Sequence, residues 1–67
     1  MELNEFVKEK RIAFRLTQPE LAEKAGVGLR FVRELEQGKE SLRMDKINQV
    51  LKLFGYEMGP VETKREP

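Results

Sequence analysis

The sequence predicts an all-α fold: a compact domain of four to five short helices, closed by one short C-terminal β-strand. Three observations carry this. Apolar residues recur at three- and four-residue spacing in separate short stretches. Glycines at 26, 38 and 55 stand where those stretches would end. Only Tyr56-Glu57-Met58, just ahead of Gly59-Pro60, alternates apolar and polar residues as a strand does.

The first helix spans residues 3 to 14. Leu3, Val7 and Phe14 fall on one face, with Phe6 and Ile12 flanking. Arg11 lies four residues after Val7 on that stripe, so its guanidinium needs a carboxylate partner or must snorkel outward. The second helix starts near Gln18. Thr17-Gln18-Pro19-Glu20 is a capping box, in which Thr17 caps first-turn amides and Glu20 reaches back. Leu16 and Leu21 occupy the staple positions, and Pro19 is tolerated because first-turn amides have no acceptor within the helix. This helix buries Leu21, Ala22 and Ala25, then stops at Gly26.

The third helix begins at Gly28 or Leu29 and ends before Gly38. At 100° per residue, Phe31, Val32 and Leu35 share one side, with Glu36 at its margin. Leu29, Arg30, Arg33, Glu34 and Gln37 share the other. Only Gly26-Val27-Gly28 separates the second and third helices, which is the spacing of a helix-turn-helix. The fourth helix runs from Met44 to Phe54 on Met44, Ile47, Val50, Leu51 and Phe54, and Gly55 terminates it. The strand at 56–58 has no mate elsewhere in the chain. Its expected mate is the same strand of a second copy, with Leu53, Tyr56, Glu57 and Met58 forming the dimer contact. Residues 1–58 form the domain, and 59–67 form a charged, flexible tail.

The composition narrows the chemistry. The chain has 67 residues, no cysteine and no histidine. Disulfides and thiolate metal sites are excluded, and the commonest general base and zinc ligand are missing. No nucleophile–base pair or phosphate-binding glycine loop is present, so no enzymatic reading survives and no cofactor is implied. No apolar run reaches the roughly 20 residues of a membrane span, and the expected location is cytoplasmic. A chain this short buries only about 60% of its unfolded surface, which favours a partner subunit. Charged residues make up 37%, yet the net charge is only +1, so a nucleic-acid partner would require the cations to gather on one face.

Several pieces together resemble the Xre/phage-repressor family of helix-turn-helix proteins. They are LTQPELA from Leu16, then Ala25-Gly26-Val27, then VRELEQG from Val32, and the apolar helix ending Phe54-Gly55. The resemblance covers residues 2 to 58, and the short strand further resembles the HipB-type antitoxin branch. It implies a dimeric repressor that reads a palindromic operator through the third helix and binds a HipA-type kinase toxin. It also implies residue roles. Gln18 contacts a DNA phosphate and braces the recognition helix. Gly28, Leu29, Arg30, Arg33 and Glu34 face the bases, while Lys39 and Arg43 approach the backbone. Arg11 pairs with Glu36. The chain departs from the family at Gly28, where Ser or Thr is usual, and at Arg15, where glycine usually ends the first helix. Arg43 lacks an N-cap side chain, and Leu29 replaces a polar reader.

Several of these site residues have a plainer alternative. Arg30 and Arg33 can grip guanine O6 and N7, worth about 1–3 kcal/mol of discrimination. Equally, they can be a solvated face in which Arg30 and Glu34 pair for about 0.3–0.5 kcal/mol. Leu29 can meet a thymine methyl or pack against the second helix. Lys39 and Arg43 can contact phosphate or remain solvated loop charges. The competing function class is a protein-interaction module that mainly binds and neutralises a toxin or other partner. A stand-alone repressor without a toxin is the third possibility.

Overall fold

The computed structural model describes residues 1–63. Among them are four helices: α1 (Leu3–Ala13), α2 (Gln18–Ala25), α3 (Leu29–Glu36) and α4 (Met44–Leu53). α3 packs on α1 and α2, and α4 packs on α2. The core is Val7, Leu21, Ala22, Val32, Leu35, Ile47, Val50, Leu51 and Phe54, so every helix contributes. Leu16, Phe31 and Leu53 lie half-buried against it.

The helix boundaries follow from local chemistry. Thr17 Oγ1 accepts from the Glu20 amide at 3.2 Å, and Glu20 Oε1 accepts from the Thr17 amide at 2.8 Å. That reciprocal pair starts α2. α2 ends where Gly26 turns left-handed at φ 74°. Its N–H reaches the Glu23 carbonyl at 3.3 Å, and the Val27 N–H reaches the Ala22 carbonyl at 3.0 Å. This is the double bond of a Schellman closure.

The same closure ends the other three helices. Leu16 returns to Arg11 with Arg15 between them at φ 58°. Lys39 returns to Glu34 across Gly38, and Tyr56 returns to Leu51 across Gly55. The turns that Gly38 and Gly55 make are left-handed too, at φ 83° and 86°.

Leu3 and Ala25, expected to be buried, are half-buried against the core, and two residues expected on buried stripes are exposed. Phe14 is 52% exposed, because α1 stops at Ala13 and Phe14 is its C-cap, set edge-on to Phe54 at 5.0 Å. Met44 is 62% exposed, because it opens α4 before that helix reaches the core. α4 also stops one residue short of the expected Phe54, which is its buried C-cap.

No β-strand occurs among the described residues, so the expected strand at 56–58 has no ladder within one chain. That stretch instead folds back on its own helices. The Tyr56 ring meets Phe6 edge-on at 4.8 Å, and the Met58 amide donates to Asn48 Oδ1 at 2.8 Å. Residues 59–63 are exposed and carry no regular structure. The remainder of the expected tail, 64–67, lies outside the described residues. No described helix is long and apolar enough to cross a membrane.

Candidate nucleic-acid interface

α3 is seated by apolar contact on one side and by a polar clamp at its C-terminal end. Val32 is fully buried, Leu35 nearly so, and Phe31 is half-buried. The clamp is centred on Glu36. Arg11 approaches it as a fork, with Nε to Oε2 at 2.7 Å and Nη2 to Oε1 at 3.1 Å. Gln18 Nε2 also donates to Oε1 at 3.1 Å. Arg11 Nη1 donates to the Leu16 carbonyl at 2.9 Å. One guanidinium thus joins α1, the turn before α2 and the end of α3. A carboxylate with only 4% of its side chain exposed needs this full set of donors, because burial without partners would be costly. The expected Arg11–Glu36 pair is present, and Gln18 braces α3 through that same carboxylate.

The opposite side of α3 is open. The Arg30 side chain is 90% exposed, and Arg33 is exposed with no ion partner among the described residues. Glu34 stands between two cations, with Arg30 Nε at 3.7 Å and Lys39 Nζ at 3.1 Å. Lys39 is brought there by the left-handed turn at Gly38, which folds the chain back over the last turn of α3. Leu29 is half-buried against the core, so part of its side chain serves local packing. Gly28 is the N-cap and offers no side-chain hydrogen bond, and a Cβ built there would meet nothing within 4 Å.

Arg43 sits apart from this cluster at the N-cap of α4. Its Nη2 lies 2.7 Å from Asp45 Oδ2 and its Nε 3.1 Å from Oδ1. That fork holds the Asp45 carboxyl below its ordinary pKa. The Glu20 carboxyl is also lowered, first by the hydrogen bond from the Thr17 amide.

The structure therefore gathers Arg11, Gln18 and Glu36 into one unit, and Arg30, Glu34 and Lys39 into another. It ties Arg43 to a neighbour. Of the residues expected at a dimer contact, Leu53 packs on the core and Tyr56 rests on α1, with Lys10 Nζ 5.3 Å from its ring centroid. The Lys39–Glu34 and Arg43–Asp45 pairs escape sequence reasoning, because neither has helical three- or four-residue spacing. A carboxylate near the cation across a helix end is the only available signal.

A family model described as Helix-turn-helix matches residues 7–61. A curated relative, the uncharacterized HTH-type transcriptional regulator y4mF of Sinorhizobium fredii, is 52% identical over 40 residues. That match covers 60% of this chain and 53% of the relative, so the chain spans about half the length of the protein it matches. Two short helices across a three-residue turn, a clamped third helix and this match over most of the chain agree: the protein belongs to the helix-turn-helix family, of the Xre/phage-repressor type.

Proposed function

We propose that the protein is a DNA-binding transcriptional regulator that presents α3 to the major groove. The observation that carries this reading is the contrast between the two sides of α3. One is locked by Arg11, Gln18 and Glu36, and the other offers Arg30 and Arg33 to solvent. In this reading Arg30 and Arg33 read bases. Glu34 positions Arg30 or accepts from cytosine N4, and Leu29 meets a thymine methyl with its exposed part. Lys39 and Gln18 approach phosphates, Gly28 allows close approach of the backbone, and Arg43 reaches phosphate by releasing Asp45. The relative's name as a transcriptional regulator agrees.

Mobility-shift titration on the DNA upstream of its own gene tests this directly. Arg30→Ala and Arg33→Ala should each cost about 1–3 kcal/mol and relax base preference. Lys39→Ala should weaken all sequences alike and flatten the salt dependence by about one unit. Wild-type binding by both arginine variants would remove α3 from the interface.

The regulator acts as a homodimeric repressor on a palindromic operator, with half-sites roughly 34 Å apart. Leu53, Tyr56, Glu57 and Met58 form the dimer contact. Support comes from the backbone: the Tyr56 and Met58 amides are bonded to α4, while the Glu57 amide between them has no partner among the described residues. One edge of this stretch is thus open to a second copy. Sedimentation should find a dimer at micromolar concentration, weakened by truncation after Phe54. The antitoxin role, with a HipA-type kinase toxin as partner, rests on the resemblance to the HipB-type branch. Co-purification from native extract tests it.

A second reading, a protein-interaction module, has its own observation. Arg30 and Lys39 share Glu34, and Arg43 is forked to Asp45, so much of the nominated positive charge is already balanced. Absence of any duplex binding by the wild-type chain would favour it.

A further inference from the structure

All four helices end in the same Schellman closure, and each closure needs one residue in the left-handed region. At three of them that residue is glycine: Gly26, Gly38 and Gly55. At the fourth it is Arg15, with φ 58°, the sole non-glycine residue at positive φ among those described. A β-carbon is disfavoured there because it crowds the following carbonyl, and glycine avoids that cost entirely. Strain of this kind points to a use for the side chain rather than to a need of the backbone.

Arg15 is exposed, and its side chain makes no ion pair or hydrogen bond among the described residues. Its place in the fold is defined. The next residue, Leu16, gives its carbonyl to Arg11, which also clamps Glu36 at the end of α3. Three residues on, Gln18 reaches the same Glu36. The Arg15 turn and the C-terminal end of the recognition helix are therefore one hydrogen-bonded unit. Gln18 is also the residue that approaches phosphate in the reading above, so an arginine leaving that turn starts three residues from that contact.

The geometry points to Arg15 as a phosphate-contacting residue of the DNA interface. This assignment rests on the DNA-binding reading above. It predicts opposite signs for two measurements on one variant. Arg15→Gly should raise the melting temperature by about 2–5 °C, since the left-handed strain is relieved and only partly offset by glycine's looser unfolded chain. The same variant should bind a labelled mixed-sequence duplex roughly five- to tenfold more weakly at 0.1 M salt, with a salt slope flatter by about 0.9 per protomer. Arg15→Gln, which keeps the strain but loses the charge, should match the binding loss without the gain in melting temperature. Arg15→Lys should retain the wild-type slope.

Wild-type affinity and slope in Arg15→Gly and Arg15→Gln, with the wild-type protein binding the duplex, would overturn the Arg15 assignment alone. Failure of the wild-type protein to bind any duplex would overturn the DNA-binding reading and this assignment together.

Discussion

Two arginine–glutamate pairs lie on opposite sides of α3, and they share chemistry but not role. Arg11 and Glu36 meet as a fork at 2.7 and 3.1 Å, with side chains 14% and 4% exposed. Arg30 and Glu34 approach only to 3.7 Å, with the arginine 90% exposed. In the first pair, burial makes each charge dependent on the other, so the contact is structural. In the second, water competes for both partners and salt screens them, so the guanidinium stays available. Environment, not residue type, decides which arginine holds the helix and which can leave its partner for a ligand.

The largest test of this contrast is removal of one partner of the part-buried pair. Glu36→Gln or Arg11→Ala should cost about 3–5 kcal/mol in urea unfolding, because the remaining charge is stranded. That loss is a large part of the stability of a domain this small. Arg11→Met combined with Glu36→Leu should recover most of it, since no buried charge is left. A loss below about 1 kcal/mol for the single variants would place this pair in the surface class with Arg30–Glu34.

Thr17→Ala comes next, at about 1 kcal/mol, because it opens the capping box that starts α2 and so loosens the base on which Gln18 sits. Arg30→Ala should shift the urea midpoint by less than about 0.5 kcal/mol, and a larger shift would mean that the outer pair is not free. Gly28→Ser should add only a few tenths of a kcal/mol as a better cap for α3, since open space surrounds that Cβ.

The smallest effect is in acid. Glu20 and Asp45 both have folded pKa values below their ordinary ones. Their contribution is therefore present above the ordinary carboxylate range and is lost as pH falls through the lowered folded values. Side-chain NMR titration should place the Glu20 midpoint below the ordinary glutamate value and the Asp45 midpoint below the ordinary aspartate value.

Much of this was legible in the sequence because it is written locally. The capping box of Thr17 and Glu20, the stop at Gly26 and the three- and four-residue apolar spacing each need only a short window, and they locate all four helices to within a residue or so. Arg11 was legible for a different reason: a charge on an apolar stripe demands a partner. The outward set of α3 followed from the helical wheel. What was not legible depends on how elements meet. Phe14 and Met44 carry the right spacing but lie at helix ends beyond the core. Lys39 reaches Glu34 only because Gly38 turns the chain back. The segment at 56–58 alternates like a strand, yet within one chain two of its three amides, those of Tyr56 and Met58, are bonded to α4.

The reach of Arg11 also has a kinetic meaning. The other three ion pairs among the described residues join positions two, four and five apart, whereas Arg11 and Glu36 are 25 apart. Small helical domains fold fast because most of their contacts close short loops. This pair closes a long one, with α2 inside it, and the entropy of that closure must be met before the fork can form. Among these ion pairs, the tie that holds α3 in place is thus also the one that the folding chain must search longest to find.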